Sequence, residues 1–282
     1  MKVLFISNGQ PDYQCDCVFL GLYELLGADF THSCDYDLMY KDRVPSDSLL
    51  RSSGKGFTIW NNLPDYLNDK SDLEHKIKSK YFDLIVYGHF RRCLDYYELV
   101  IQSYDKNQII LIDGEDDQHI GDVQGHPLFK RELIIENPNI YPISFAIPEI
   151  KIVKSIPEKT KKLADYIPSF DTSKYVYNTE EEYYNNYREA MYGVTHRKSG
   201  WDCMRHYEVL GNYCIPLFKD VENIPKMTMV NFPKDLIFRS NQLYESDCDE
   251  QHEILAKLHT YTKENLTTRE LAKYILNTSK TL

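Results

Sequence analysis

Between Arg197 and Phe218 the chain passes from a basic, glycine-bearing loop through a helical stretch into an apolar run, and these residue types can do chemistry together. Arg197 and Lys198 supply two cations. Ser199 and Gly200 form a loop that opens a helix, where backbone N–H groups and the positive end of the dipole converge. Ser199 or Asp202 is placed to cap that first turn. Such a place suits a phosphate. Arg205 and Glu208, three residues apart, share one helical face. A cation beside a diphosphate and a carboxylate one turn further on make a grip for a nucleotide, since a carboxylate accepts hydrogen bonds from both ribose hydroxyls. The plainer reading is an amphipathic helix with an i, i+3 ion pair and solvated basic neighbours.

A second set of groups suits proton transfer. Asp12 and Asp16 follow the apolar run Lys2–Ser7, and Asp113-Gly-Glu-Asp-Asp117 follows the run Gln108–Asp113. His89 follows a third run, Phe82–Tyr87, and its imidazole titrates near neutrality. The acidic stretch reads as a hard-cation site for Mg²⁺, as a binding or catalytic patch for sugar hydroxyls, or as a polar turn. Phe129-Lys-Arg-Glu-Leu133 adds a cationic pair beside it, either an ion-pair brace or a second phosphate contact.

The elements that must position these groups read as α/β. Short apolar runs ending in Asn8-Gly9, Gly88-His89 and Gly114 are buried parallel strands, and ligands of such sheets bind at the strands' C-terminal edge. Helices are expected over Cys17–Leu26, stopped by Gly27, and over Leu94–Tyr104. The expected sheet has four or five strands, with Ala28–Ser33 and Tyr141–Pro148 among them. Residues 35–68 read as a long surface insertion able to cover an acceptor site. The loop after the first strand lacks Gly-x-Gly-x-x-Gly, which disfavours a dehydrogenase. Composition shifts to Lys, Pro, Ser and Asp over Glu149–Lys174, which reads as a linker between a unit of residues 1–150 and one of residues 151–282. The second begins at Lys174–Asn178 and continues with a capping box at Thr179–Glu182. A short strand Tyr192–Thr195 follows, and after Phe218 helices are expected over Asp249–Thr260 and Thr268–Leu276, the last capped by Thr267 and Glu270.

The chain has 282 residues, 42% of them hydrophobic, enough for substantial cores. A net charge of −10 argues against nonspecific binding to nucleic acid or anionic membranes. The N-terminal apolar run is too short for a signal or spanning helix, so a soluble, cytoplasmic protein is expected. Seven irregularly spaced cysteines read as reduced thiols, Cys15 and Cys17 as packing residues. The 23 tyrosines supply rings able to stack on bases and sugars.

The basic loop, the helix with Arg205-His-Tyr-Glu208, and Gly211-Asn-Tyr-Cys-Ile-Pro-Leu-Phe218 followed by Asp220 and Pro225 together resemble the donor-binding segment of GT-B glycosyltransferases, closest to the exostosin-like group. That family's Gly-Cys pair is split here by Asn212 and Tyr213. The resemblance implies a GT-B architecture, two Rossmann-like parallel-sheet domains facing a central cleft. It implies a nucleotide diphosphate sugar as donor, UDP-linked, with a pentose such as xylose among the sugars it could carry, and inversion at the anomeric carbon. Glu208 would take the ribose, and Arg205 with Lys198 or Arg197 the diphosphate. Acceptors would be glycans or glycoconjugates. The cations and helix N-terminus would neutralise the leaving group without a metal or cofactor, and a base would come from the first unit: Asp16 foremost, then Asp12, then Glu115, with His89 beside them. No nucleic-acid partner is expected, and the protein would act as a monomer or homodimer. The competing classes are a sugar- or nucleotide-binding module without turnover, and a Mg-dependent phosphotransferase using Asp113, Glu115 and Asp116.

Overall fold

The computed structural model describes residues 1–44, 53–64, 68–168, 176–246 and 248–281. Strand β1 (Val3–Ile6) is wholly buried because its side chains alternate between two apolar clusters, Val3 and Phe5 to one face, Leu4 and Ile6 to the other. It runs into α1 (Tyr13–Leu26), which starts where the Asp12 carboxylate accepts from the Cys15 N–H and ends at Gly27, whose φ of 51° suits a residue without Cβ.

Strands β2 (Phe30–His32), β3 (Leu84–Tyr87), β4 (Ile109–Asp113), β5 (Leu128–Lys130) and β6 (Ile140–Pro142) complete a six-stranded sheet in the order β2-β1-β3-β4-β5-β6. Every pairing is parallel. Helices α2 (Leu73–Lys78) and α3 (Tyr97–Ser103) cover one face. The strand order turns back between β1 and β3, so the loops after these two strands diverge and leave a crevice at their C-terminal ends.

A second sheet holds β7 (Lys161–Leu163), β8 (Ala190–Thr195) and β9 (Ile215–Phe218), also parallel and in that order. Helix α4 (Glu180–Arg188) precedes β8 and opens with the expected reciprocal Thr179–Glu182 box; α5 (Met204–Gly211) joins β8 to β9. Three further helices follow, α6 (Lys234–Gln242), α7 (Asp249–Asn265) and α8 (Thr268–Thr281). The two sheets fit a Rossmann-like α/β fold.

The last helix returns to the first sheet. It lies so close to α1 that a Cβ on Gly21 would sit 2.0 Å from the Thr268 carbonyl oxygen. Ile147 exchanges backbone hydrogen bonds with Leu266 and Thr268, both 3.0 Å. One apolar cluster therefore carries Phe5 and Val18 of the first sheet's layers together with Tyr192, Ile215 and Ile275.

Several elements differ from expectation. The sheet has six strands because Leu128–Lys130 is a strand, hidden by its buried lysine. β7 falls in the stretch read as a linker: an edge strand half open to solvent carries no apolar run. The helix expected from Leu94 starts at Tyr97, since Tyr96 has a φ of 60°. The strand expected over Tyr141–Pro148 stops at Pro142, after a last ladder bond from the Ile143 N–H to the Lys130 carbonyl at 3.1 Å. Of Lys174–Asn178, the first two residues lie outside the described ones. Among the described residues no helix is long and apolar enough to cross a membrane.

Candidate functional site

Two adjoining cavities lie at the C-terminal edge of the first sheet, and the first of them reaches across to the second sheet's side. The first, about 260 Å³, is lined by Lys198, Ser199, Gly200, Arg205 and Glu208 from the loop after β8 and from α5. Lys55 and Phe57 from the long β2–β3 connection close it, with Tyr177 and Tyr183 beside α4. The second, about 460 Å³, is lined by Asp12, Gln14, Trp60, Arg92, Glu115 and Arg131 at the C-terminal edge of the first sheet. Tyr13, Asp116 and Phe145 line both.

The basic loop is tied down by the first sheet. Glu132, just past β5, accepts the backbone N–H groups of Trp201 (3.1 Å) and Asp202 (3.0 Å), and its carboxylate is steadied by Arg131 at 3.2 Å. Gly200 is required there: a Cβ would stand 2.6 Å from Glu132 Oε1 and 2.9 Å from Asp116 Oδ1. Two of the backbone donors expected for a phosphate are thus given to Glu132.

Neither Ser199 nor Asp202 caps α5; the N-cap is Cys203, which makes no side-chain capping bond. Asp202 instead accepts from the Phe145 N–H (2.7 Å) and the Tyr207 hydroxyl (2.9 Å), and burial lifts its pKa to about 6. Arg197 lines neither cavity. It is exposed, its guanidinium 4.9 Å from the Trp201 ring centre, because the loop turns it outward.

Arg205 is 4% exposed, with its guanidinium 5.7 Å from the Tyr166 ring centre. Glu208, 7% exposed, is held at both oxygens: Thr58 Oγ1 donates to Oε1 at 2.5 Å and the Tyr183 hydroxyl to Oε2 at 2.8 Å. Burial raises its pKa, and these two donors pull it back only in part. Thr58 was not a candidate on sequence grounds. Residues 35–68 were expected to cover an acceptor site; Lys55, Phe57 and Thr58 close the wall beside Glu208, and Trp60 of the same segment lines the second cavity.

Of the three carboxylates proposed as bases, Asp16 is not placed for the role. It is 0% exposed and lines neither cavity; the Trp60 indole N–H donates to it at 2.7 Å and the Tyr36 hydroxyl also donates. Burial pushes its pKa up to about 7, opposed by those donors. Asp12 and Glu115 do reach the second cavity. His89 Nε2 lies 3.3 Å from Asp12 Oδ2 and 3.2 Å from Glu115 Oε1, and Arg92 reaches both, at 3.4 and 2.8 Å. Partial burial would raise Glu115, but the Arg92 hydrogen bond and charge, with His89, hold it below the ordinary range.

The rest of the acidic loop is a brace. Fully buried Lys130 meets Asp113 at 3.1 Å, Arg91 grips Asp117 through two 2.9 Å bonds, and Arg131 pairs with Asp116. Each carboxylate of the loop thus has its own cation, and of the readings for Phe129–Leu133 the ion-pair brace holds. Asp116 is the carboxylate common to both cavities. Its place within the acidic motif was legible; its position where the two cavities meet was not. No family model matches this chain, and no curated protein sequence matches it significantly.

Proposed function

We propose that the protein is an inverting glycosyltransferase of GT-B type that moves a sugar from a nucleotide diphosphate sugar, UDP-linked, to a glycan acceptor. One observation carries the reading: Lys198, Arg205 and Glu208, chosen from the sequence as diphosphate and ribose contacts, line one cavity, and that cavity adjoins another holding Asp12 and Glu115. The nucleotide would occupy the first, with its ribose toward Glu208, its base among Phe57, Tyr177 and Tyr183, and its diphosphate toward Lys198 and Arg205. The acceptor would occupy the second, where half-buried Tyr13, stacked on Trp60 (centroids 5.9 Å apart, 13° between planes), offers an aromatic face to a sugar ring.

Transfer then occurs where the cavities meet. A carboxylate takes the acceptor hydroxyl's proton as its oxygen attacks the anomeric carbon, and the diphosphate leaves with its charge held by Lys198 and Arg205. With Asp16 enclosed and Glu115 and Asp116 each paired with an arginine, Asp12 is the best placed base, 3.3 Å from His89 in the acceptor cavity, while Glu115 and Asp116 hold acceptor hydroxyls. A phosphotransferase using Mg²⁺ at Asp113–Asp117 is disfavoured, because those carboxylates are already matched with Lys130, Arg91, Arg92 and Arg131.

The test is paired. Glu208→Ala should raise the UDP Kd at least tenfold, the loss of a hydrogen-bonded carboxylate costing about 1.5–3 kcal/mol, with the fold intact. Asp12→Asn, which keeps a side chain able to cap α1, should keep UDP binding and lose kcat for transfer from a UDP-sugar. UDP binding unchanged in Glu208→Ala sinks the donor site, and retained turnover in Asp12→Asn removes the base.

A further inference from the structure

The tip of the β2–β3 connection carries unusual backbone. Lys55, Gly56, Thr58 and Asn61 all have positive φ, of 55°, 71°, 75° and 57°. For a β-branched residue such as Thr58 this conformation is strained and persists only where neighbours enforce it. Most of the enforcing contacts belong to the second sheet's side; from its own connection, the Asn62 side-chain amide donates to the Thr58 carbonyl at 2.7 Å. Thr58 Oγ1 bonds Glu208 at 2.5 Å and the Tyr184 hydroxyl at 2.6 Å, while its N–H donates to Glu180, itself held by Lys151 at 2.6 Å. Lys55 Nζ donates to the Tyr177 carbonyl and to Asn178. Gly56 cannot carry a side chain, since a Cβ would meet the Trp60 ring at 2.5 Å.

The other end of the tip is held differently. Ile59, Trp60 and Leu63 are buried in the shared apolar core, and the Trp60 N–H is bonded to Asp16. The segment is therefore fixed at residues 59–63 by apolar packing, and its tip rests on the second sheet through polar contacts alone, apart from Phe57 against Tyr183. Polar contacts exchange readily for those of a ligand or water, whereas buried apolar ones do not.

Two hydroxyls, those of Thr58 and Tyr183, each donate to one oxygen of Glu208. A vicinal diol would offer the same pair of donors to the same carboxylate. We propose that Thr58 is an internal stand-in for a ligand hydroxyl: residues 55–58 form a strap that Glu208 holds shut, and a nucleoside with free 2′ and 3′ hydroxyls displaces Thr58 to reach that carboxylate. This rests on the nucleotide reading of the first cavity and adds to it a gate and a preference for ribose over deoxyribose. Release of the strained Thr58 backbone favours opening, and the diol replaces the lost bonds to Glu208.

The experiment compares UDP with 2′-deoxyuridine diphosphate on wild type, Thr58→Val and Thr58→Ser by calorimetry, with hydrogen exchange followed across residues 55–60. Valine keeps the branching and removes the competing hydroxyl, so UDP should bind about tenfold more tightly. The deoxynucleotide should gain less, and serine should behave as wild type. In the wild type, UDP should speed exchange of the Thr58 amide by freeing it from Glu180. Equal or weaker UDP binding by Thr58→Val, or UDP bound with no faster exchange at Thr58, overturns the strap and leaves Thr58 a fixed brace, with the nucleotide site still standing. The wild-type exchange measurement decides even if the valine variant does not fold. Failure of wild type and both variants to bind any nucleoside diphosphate refutes the nucleotide reading, and this inference with it.

Discussion

Asp16→Asn offers the sharpest check on how the first sheet's crevice is built. The wild-type carboxyl titrates at about 7 in the folded protein because burial opposes its charge, against 3.8 for the free side chain. Between those values the folded state keeps a proton that the unfolded chain has released, so stability falls as pH rises through this window and levels off above the folded pKa. Integrating the two titrations from pH 5 to pH 8.5 gives a loss of about 3 kcal/mol from this one group. Asp202, lifted to about 6, adds a smaller decline of the same sign that ends sooner. Urea unfolding of wild type and Asp16→Asn at both pH values isolates the first contribution. The variant should have the lower stability at pH 5, where asparagine sets an amide against the Trp60 and Tyr36 donors, and should close most of the gap by pH 8.5. A gap that stays constant across the range would refute a buried, protonated Asp16. The same variant should still bind UDP, because Asp16 lines neither cavity.

Gly21→Ala would drive a Cβ into the Thr268 carbonyl and should part α1 from α8, lowering stability by about 3 kcal/mol or more, read as Tm in a thermal melt. Lys130→Met leaves the fully buried Asp113 without its nearest cation and should cost about 3–5 kcal/mol in urea unfolding; adding Asp113→Asn should recover much of that. Thr179→Ala removes the hydroxyl that accepts from the Glu182 N–H and should cost about 1 kcal/mol in the same measurement, with UDP binding unchanged.

What was legible in the sequence follows from burial. β1, β3 and β4 carry apolar runs because parallel strands inside a sheet are covered on both faces, and those runs stand out by themselves. β5 and β7 do not stand out, and β6 does so only through the longer run Tyr141–Pro148. They have three residues each, and β5 holds a lysine whose burial is tolerated only because Asp113 faces it across the ladder. The grouping of Lys198, Arg205 and Glu208 was legible since one loop and one helix turn set their spacing. The partners of those residues were not. Thr58 and Glu208 are 150 residues apart, and no local pattern links a threonine in an irregular stretch to a helical glutamate. Asp16 was misjudged for a related reason: a helix's first turn at a strand's end is normally open, and only Tyr36 and Trp60, supplied from the next connection, enclose it.

The same long-range pairings explain why the site draws on both sheets and not on either one alone. The loop at Ser199–Asp202 cannot hold its shape alone, because two of its N–H groups need Glu132 and the Asp202 carbonyl accepts from Arg131 at 2.9 Å. Glu208 likewise takes one donor from its own side and one from the β2–β3 connection. A buried polar group left without its partner costs more than the bond returns when made, so each contact penalises separation of the sheets. The apolar core shared through α1 and α8 holds the far side together. Freedom is therefore concentrated where polar contacts alone bridge the gap, at Lys55–Thr58 and along the loop beside Gly200, and a ligand that supplies replacement hydrogen bonds acts on the structure there first.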